Sequence, residues 1–353
     1  MLLFNTTPTH LAWAETNEEN RLLQSGVIQP EEEFPAALLD AVENADQAVY
    51  LLESGGLEIS EEAADLTPGV LNALQNVQKY APYENSLLMK AVFHMVTMRP
   101  DLQHILLCNT AFFQHMPQAA RQVALPDNLR QPEIQRYGAG GLYHHYAWEH
   151  IRQIDAQQNE KIITVHLDDY NPSVAAIQRG VAVECSAGFG KLEGIAGLTT
   201  CGSIDPSLPL LMVEDGQSVD QALQILTTQS GLQTMDADLD TLRTLYTDRQ
   251  NKHRPAREKL QYQLLKQIGS AAAIMNGVQK LVFLCEDYSE NQPFLLELLQ
   301  SLAHFGVKVA KTPSECGENC LQYHTTDSAI QVYALQADTW QIMAHFTEKF
   351  TNQ

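Results

Sequence analysis

The 353-residue chain is long enough for two ordinary domains, and its 44% apolar content suits a packed core rather than a disordered polymer. Lys and Arg number 22 against 43 Asp and Glu, for a formal charge of -21; such a surface repels nucleic-acid phosphates and anionic lipid heads, so neither is expected as a partner. No run of about 18 apolar residues offers a membrane span, and the opening "MLLFNTTPTHLAWAE" lacks the basic start and long apolar stretch of a secretory signal, so a cytoplasmic protein is expected.

In chain order, "MLLFN" and "HLAWAE" read as a hairpin turning near Pro8, and residues 17–35 as an acidic loop. "DQAVYLLES" reads as a strand ending at Gly55-Gly56. "LTPGVLNALQNVQKYA" has helical periodicity, with Thr67 as N-cap and Pro68 at the first helical position. "ENSLLMKAVFHMVTMR" is a second helix, stopped by Pro100, and "HILLCNTAFF" a short apolar strand running into a loop. Next come a helix at "LYHHYAWEHIRQI", a strand at "KIITVHLDD" and a hairpin at "PSVAAIQRGVAVECSAGF" turning at Arg179-Gly180. "SVDQALQILTTQSGL" is a helix ended by Gly231, and "REKLQYQLLKQIGSAAAIMNGV" a long amphipathic one. The buried strand "KLVFLCED", the helix "NQPFLLELLQSLAHFG", the strand "AIQVYALQ" and a closing helix "ADTWQIMAHFTEKF" complete the chain. Early hairpins followed by alternating strands and helices indicate mixed α/β architecture. No short-period repeat or low-complexity tract is present.

Asn5, "APYEN", "CNTAFFQHMP", "RYGAGG", "VHL", "AAIQRG", "GFGKLEG", "GSIDP", "SGL", "IGSAAA" and "VFLCEDYSENQP" follow one another over nearly the whole chain. That ordered series resembles the acetate kinase family of acetate, propionate and butyrate kinases. The resemblance implies two actin-like (ribonuclease H-like) α/β domains flanking a cleft for ATP and Mg²⁺. The first is expected over residues 1–108 with the closing helix 338–353, and the second over 109–337. It also implies a dimer through the second domain, with which the apolar helix 258–275 is consistent.

The departures from the family pattern fall on chemistry. Phosphoryl transfer asks a protein mainly for positioning and charge neutralisation. The family's hydroxyl-rich N-x-G-S-S-S-x-K turn here keeps Asn5, but its Gly is Thr7, a Ser is Pro8 and its Lys is Ala12. In H-R-V-V-H-G-G the substrate-gripping Arg is Leu51, while Gly55 and Gly56 are kept and Glu53 adds charge. The family's metal-linked Asp is Asn109, and its phosphoryl-stabilising His is Gly140. The phosphate loop H-L-G-N-G-A-S becomes His166-Leu167-Asp168-Asp169-Tyr170-Asn171-Pro172-Ser173. The catalytic Arg falls at Thr200, and the nucleotide-facing G-G-I-G-E-N at Glu286-Asp287-Tyr288-Ser289-Glu290-Asn291.

One lost donor typically costs roughly 10²–10³ in rate, and an arginine at the transferring group about 10³–10⁵. The chain therefore reads as a non-catalytic relative, a binding, regulatory or structural subunit paired with itself or with an active paralogue. The alternative is a divergent carboxylate kinase that moves the γ-phosphoryl group of ATP to a short carboxylate, with ATP and Mg²⁺ as its cofactors. An unrelated ligand-binding or enzymatic activity is the third reading. Asn5, Asn109, Gly140 and Thr200 are relic catalytic positions, and Leu51, Gly55 and Gly56 relic substrate positions. His166, Asp168, Asp169, Glu286, Asp287 and Asn291 are candidates for cofactor binding.

Several residues carry open alternatives. Cys316, Cys320 and His324 suit a metal, an oxidisable cysteine pair or a plain surface loop; C-x₃-C-x₃-H lacks a clear fourth ligand, so no metal site is assigned. Asp168, Asp169, Glu286 and Asp287 read either as solvated loops or as a new cation site. Arg136 suits an anion or a structural salt bridge. His144, His145 and His150 read as partly exposed helix residues. Four of the six cysteines sit in apolar or strand-like contexts, as buried free thiols do in a reducing compartment.

Overall fold

The computed structural model describes residues 1–30, 32–156, 160–248, 250 and 252–352; the side chains of residues 80 and 289–292 also lie outside the described residues. The chain divides into two compact units, Met1–Gln114 with Asp338–Gln353, and His115–Ala337. The division falls slightly beyond the 108/109 boundary expected from sequence. The turn after residue 108 is tied to the first unit, where Gly55 N donates to Thr110 Oγ1 at 3.0 Å and Phe113 is buried.

In the first unit, β1 (Leu2–Thr6), β2 (Leu11–Thr16), β3 (Leu22–Ile28), β4 (Gln47–Leu52), β5 (Ala63–Asp65) and β6 (Gln103–Cys108) form one sheet in the order β3-β2-β1-β4-β6-β5. β1, β2 and β3 run antiparallel in turn, while β4 and β6 lie parallel to β1. The region 17–35 is not wholly loop as expected, because Leu22–Ile28 is an edge strand. Its apolar residues come in adjacent pairs, Leu22-Leu23 and Val27-Ile28, around a polar centre, so it lacks the apolar alternation that betrays a strand. Its backbone ladder to β2 holds it, with Gly26 lying flat against the Trp13 indole. The helices are α1 (Ala36–Asn44), α2 (Pro68–Asn76), α3 (Pro82–Met98) and the closing helix Thr339–Thr351. Thr67 caps α2 by accepting from Val70 N at 3.3 Å, with Pro68 just inside, as the sequence indicated. α3 packs on β1 and β4, and the closing helix on β1, β4, β5 and β6.

In the second unit, α4 (Gln118–Arg121) and α5 (Gly141–Ile154) precede β7 (Lys161–His166), β8 (Ser173–Gln178) and β9 (Val181–Cys185). Then follow α6 (Ser207–Glu214), α7 (Val219–Thr228), α8 (Leu242–Thr247), α9 (Arg254–Ile274), β10 (Lys280–Cys285), α10 (Tyr288–Ser301), β11 (Val309–Glu315), β12 (Cys320–His324) and β13 (Gln331–Gln336). The sheet order is β11-β12-β13-β10-β7-β8-β9. β10 runs parallel to both β7 and β13, and the other pairs are antiparallel. β9-β8-β7-β10-β13 thus repeats the order of β3-β2-β1-β4-β6. The β8–β9 turn forms at Arg179 (φ 55°) and Gly180 (φ 81°), where any Cβ on Gly180 would strike Trp148. β11 and β12 escape sequence detection because β11, "VAKTPSE", is polar and largely exposed.

Every residue of β10 is buried, including Lys280, whose accessible surface is 0%. Its Nζ bonds Glu160 Oε1 at 2.8 Å and Asp155 Oδ2 at 3.2 Å, which keeps an otherwise costly buried charge compensated. Replacing Lys280 by Met strips Glu160 of its cation, and urea unfolding is expected to show a loss of about 3–5 kcal/mol. Lys280→Met combined with Glu160→Leu should recover most of that; equal losses in the single and double variants would show that the ion pair is not what matters.

Candidate functional site

β1, β4 and β6 are parallel, so their C-terminal ends share one edge of the first sheet, the usual place for ligand-binding loops in such sheets. Asn5 sits at the end of β1, and its Oδ1 accepts from Thr6 N at 2.8 Å. The following turn closes with Thr7 N donating to His10 O at 2.9 Å. His10 Nδ1 lies 3.1 Å from Thr7 Oγ1 and 3.0 Å from Thr9 Oγ1, and burial pulls its pKa down. The hydroxyls of the turn are thus engaged with His10, a residue that sequence reading passed over. The signal available was its place in the hydroxyl-rich motif.

Leu51 is a core residue of β4, 1% exposed. Gly55 and Gly56 are kept by packing: a Cβ on Gly55 would lie 2.3 Å from Ile59 O and 2.6 Å from Cys108 Sγ, and Gly56 has φ 57°. Asn109 is buried, and its Nδ2 lies 3.4 Å from each oxygen of the buried Glu53 carboxylate. An acid at 109 would set two carboxylates face to face; the amide avoids this by donating to Glu53.

In the second unit, β7, β10 and β13 likewise end on one edge. Gly140 caps α5 in a left-handed conformation, φ 67°. A Cβ there would meet Ser173 Oγ at 3.0 Å and His166 Nδ1 at 3.3 Å. His144 is not partly exposed as the sequence suggested. It is 1% exposed, spanning from Thr164 Oγ1 (2.7 Å, Nδ1) to Ser173 Oγ (2.9 Å, Nε2), because α5 turns this face onto β7 and β8. His166 stacks on Tyr143 with ring centres 4.0 Å apart, and its Nδ1 has no hydrogen-bond partner among the described residues.

The loop after β7 folds onto itself. Asp168 Oδ1 accepts from Tyr170 N at 3.0 Å and from Asn171 N at 2.6 Å. Asp169 turns the other way, accepting from Thr241 Oγ1 at 2.7 Å and Leu242 N at 2.8 Å to cap α8; burial pushes its pKa up. Thr200 is 1% exposed; its Oγ1 donates to Tyr170 O at 2.7 Å and accepts from Gly197 N at 3.1 Å, stapling the loop. With the Asn171 amide turned so that both ends are bonded, its oxygen accepts from Lys191 Nζ at 2.7 Å. Glu286 is exposed and Asp287 half-buried, with Arg243 Nη2 3.8 Å from Asp287 Oδ2. Asn291 lies on α10, and its side chain is outside the described residues.

Arg136 is a structural anchor: Nη1 donates to Glu184 Oε1 at 2.7 Å and Nη2 to Cys185 O at 2.7 Å. Among the described residues, no group of three or more His, Cys, Asp or Glu could hold a metal ion. His324 Nδ1 accepts from Val332 N at 2.9 Å across the sheet.

The model of the Acetokinase family matches residues 52–345. The chain belongs to the acetokinase family. It is 28% identical over 340 residues to the acetate kinase of Halothermothrix orenii, covering 94% of this chain and 84% of that relative. With the acetate kinase of Thermoanaerobacterium thermosaccharolyticum it shares 30% identity over 333 residues, 88% of this chain and 82% of that one. Among solved structures, it is similar to the Entamoeba histolytica acetate kinase (TM-score 0.83, 19% identity, 99% and 98% of the two chains). A propionate kinase from Francisella tularensis is also similar (TM-score 0.81, 20% identity, 97% of each chain). The fold is therefore the acetokinase fold of two actin-like α/β domains.

Two outcomes are expected. Burial pushes His166 down to about 4, with Lys191 adding to the effect and Asp168 opposing it, and it pushes His144 well below its ordinary value. Unfolded histidine takes up its proton near about 6.5, so between these values the unfolded chain holds more protons than the folded one. Stability should be intact above about pH 6.5 and fall as pH drops toward 4. Urea titrations across that window should show the slope, shallower in His166→Phe; an unchanged slope would remove His166 as its source. Gly140→Ala should destabilise the chain by about 1–3 kcal/mol, because the left-handed backbone and the Ser173 contact both resist a Cβ.

Proposed function

We propose that this member of the acetokinase family has given up phosphoryl transfer and acts as a non-catalytic binding, regulatory or structural subunit. The observation that carries this reading is the Asp168 carboxylate, which takes the Tyr170 and Asn171 N–H groups in the loop that corresponds to the family's phosphate loop. Backbone N–H groups in such a turn form an anion nest. Here the nest already holds the protein's own anion, and a phosphate would have to displace a covalently tethered competitor while facing its charge. Thr200, at the family's catalytic arginine, staples the loop instead, and Gly140, at its histidine, has little room for any side chain. These residues fit a triphosphate with Mg²⁺ poorly, so no transfer step is assigned to them.

A second reading keeps activity. Lys191 lies beside the loop, Arg243 beside Asp287, and Thr7, Thr9 and His10 cluster at the first turn. The curated relatives that the chain resembles are named acetate kinases. On this reading the chain transfers the γ-phosphoryl group of ATP to a short carboxylate, using cations other than the family's usual ones.

The partner we propose is a second copy. α6, "SLPLLMVE", buries none of its residues, and Leu210 is 71% and Leu211 51% exposed, an unusual cost for a monomer of such high net charge. Light scattering on the purified chain should give a dimer that Leu210→Glu with Leu211→Glu splits. A monomer in both would leave an active paralogue as the partner to seek. No described helix is long and apolar enough to cross a membrane.

Thermal melting with millimolar ATP or ADP and Mg²⁺ decides between the first two readings. No shift is expected; saturation at about 100 times a Kd would add about 2.7 kcal/mol and raise Tm by several degrees. Such a rise, or acetyl phosphate formed by contaminant-free protein, would establish the second reading. Asp168→Ala should free both N–H groups, lower stability by about 1–3 kcal/mol and let inorganic phosphate raise Tm where it does not for the unaltered chain.

A further inference from the structure

β11 and β12 form a hairpin in which Glu315 pairs with Leu321, so the next residues inward, Cys316 and Cys320, stand opposite one another. Cys316 N donates to Cys320 O at 3.1 Å. The turn between them uses Gly317 at φ 144° and Asn319 at φ 53°, which fixes the two ends close together. Both thiols are free, Cys320 buried and Cys316 half-exposed. Facing residues on antiparallel strands have Cα atoms about 4.5–5.5 Å apart, inside the span of about 4.4–6.8 Å that a disulfide bridges.

We infer that Cys316 and Cys320 form a reversible dithiol–disulfide couple, with Cys316 as the attacking sulfur and Cys320 as the resolving one. The division of roles follows from exposure: only Cys316 is open to a reagent, and the buried Cys320 is positioned to reach it. The neighbouring Cys320 thiol also holds Cys316 below the usual thiol range, while Cys316 and burial push Cys320 up. The Cys316 thiolate attacks one sulfur of a small-molecule disulfide such as oxidised glutathione, breaking its S–S bond and releasing one glutathione thiolate. Cys320 then gives its proton to solvent and attacks Cys316 Sγ, expelling the second glutathione. Two protein thiols and one glutathione disulfide thus become one protein disulfide and two glutathione thiols, with two electrons passing from protein to glutathione.

β11, which leads into Cys316, packs on α10. Burial pushes the Tyr288 phenol up, and the charges of Glu315, Cys320, Asp287 and Cys316 add to that push. Tyr288 belongs to the stretch at which the family's nucleotide-facing segment falls. Cys108, Cys185 and Cys285 are buried instead against backbone carbonyls, of Ile59, Ala139 and Leu335 respectively.

The folded full-length chain, equilibrated in a glutathione redox series, quenched in acid, alkylated and mapped by mass spectrometry, tests this. The expected result is a Cys316–Cys320 disulfide, reversed by dithiothreitol and unchanged in Cys201→Ser. Cys320→Ser should trap glutathione on Cys316 with a lifetime more than roughly tenfold that in the unaltered chain, and Cys316→Ser should leave Cys320 fully alkylated. The inference is overturned if both cysteines stay alkylatable throughout the series, if the disulfide forms only in urea, or if glutathione persists on Cys316 equally with and without Cys320. The unaltered chain is itself decisive if either serine variant fails to fold.

Discussion

The carboxylate of Asp168 accepts two backbone N–H groups of its own loop, and the loop after β7 is built around that fact. A turn that bares successive N–H groups has a strong affinity for negative charge, and only one anion can occupy it. In this chain the anion is part of the polypeptide, so it is present at full occupancy without any loss of translational freedom. Thr200 locks the same loop from below through Tyr170 O, and Asp169 ties its other side to the start of α8. The loop is finished as a piece of structure before any ligand arrives.

Packing and hydrogen bonds also engage neighbouring positions along both edges. Leu51 lies in the core of β4, and the Asn109 amide faces the Glu53 carboxylate, which leaves one negative charge in a buried spot that would not tolerate two. At Gly140 the backbone is left-handed and Ser173 stands where a side chain would begin. His144, bonded at both ring nitrogens, pins Ser173 in that position.

The scaffold beneath is conservative in a physical sense. Both sheets use an antiparallel three-strand run joined to two parallel strands, and the parallel strands bring distant parts of the sequence to a common edge. That edge holds Asn5, Glu53 and Asn109 in one unit and His166, Asp168 and Glu286 in the other. The buried Lys280 cluster lies at the opposite end of β10, at its first residue, where a compensated charge can be kept without touching the edge.

Much of this was legible in the amino-acid sequence. Apolar runs fixed most strands, Thr67-Pro68 marked a helix start and Arg179-Gly180 a hairpin, because these signals depend on neighbours a few residues away. The ordered motifs disclosed the family over nearly the whole chain, and the family carried the fold with it. What local pattern could not disclose were the largely exposed strands β3 and β11, held by backbone pairing rather than by a buried apolar face, and the duplication of strand order, which persists without any short-period repeat in residues. Nor could it say that His144 is buried, that Asp168 bonds its own loop, that Thr200 staples that loop or that Cys316 and Cys320 stand opposite each other. Those are properties of residues brought together by sheet register and helix docking. Sequence determines which groups are available; tertiary structure decides which are already spent on one another, because a hydrogen bond or a cavity depends on distances that no spacing along the chain encodes.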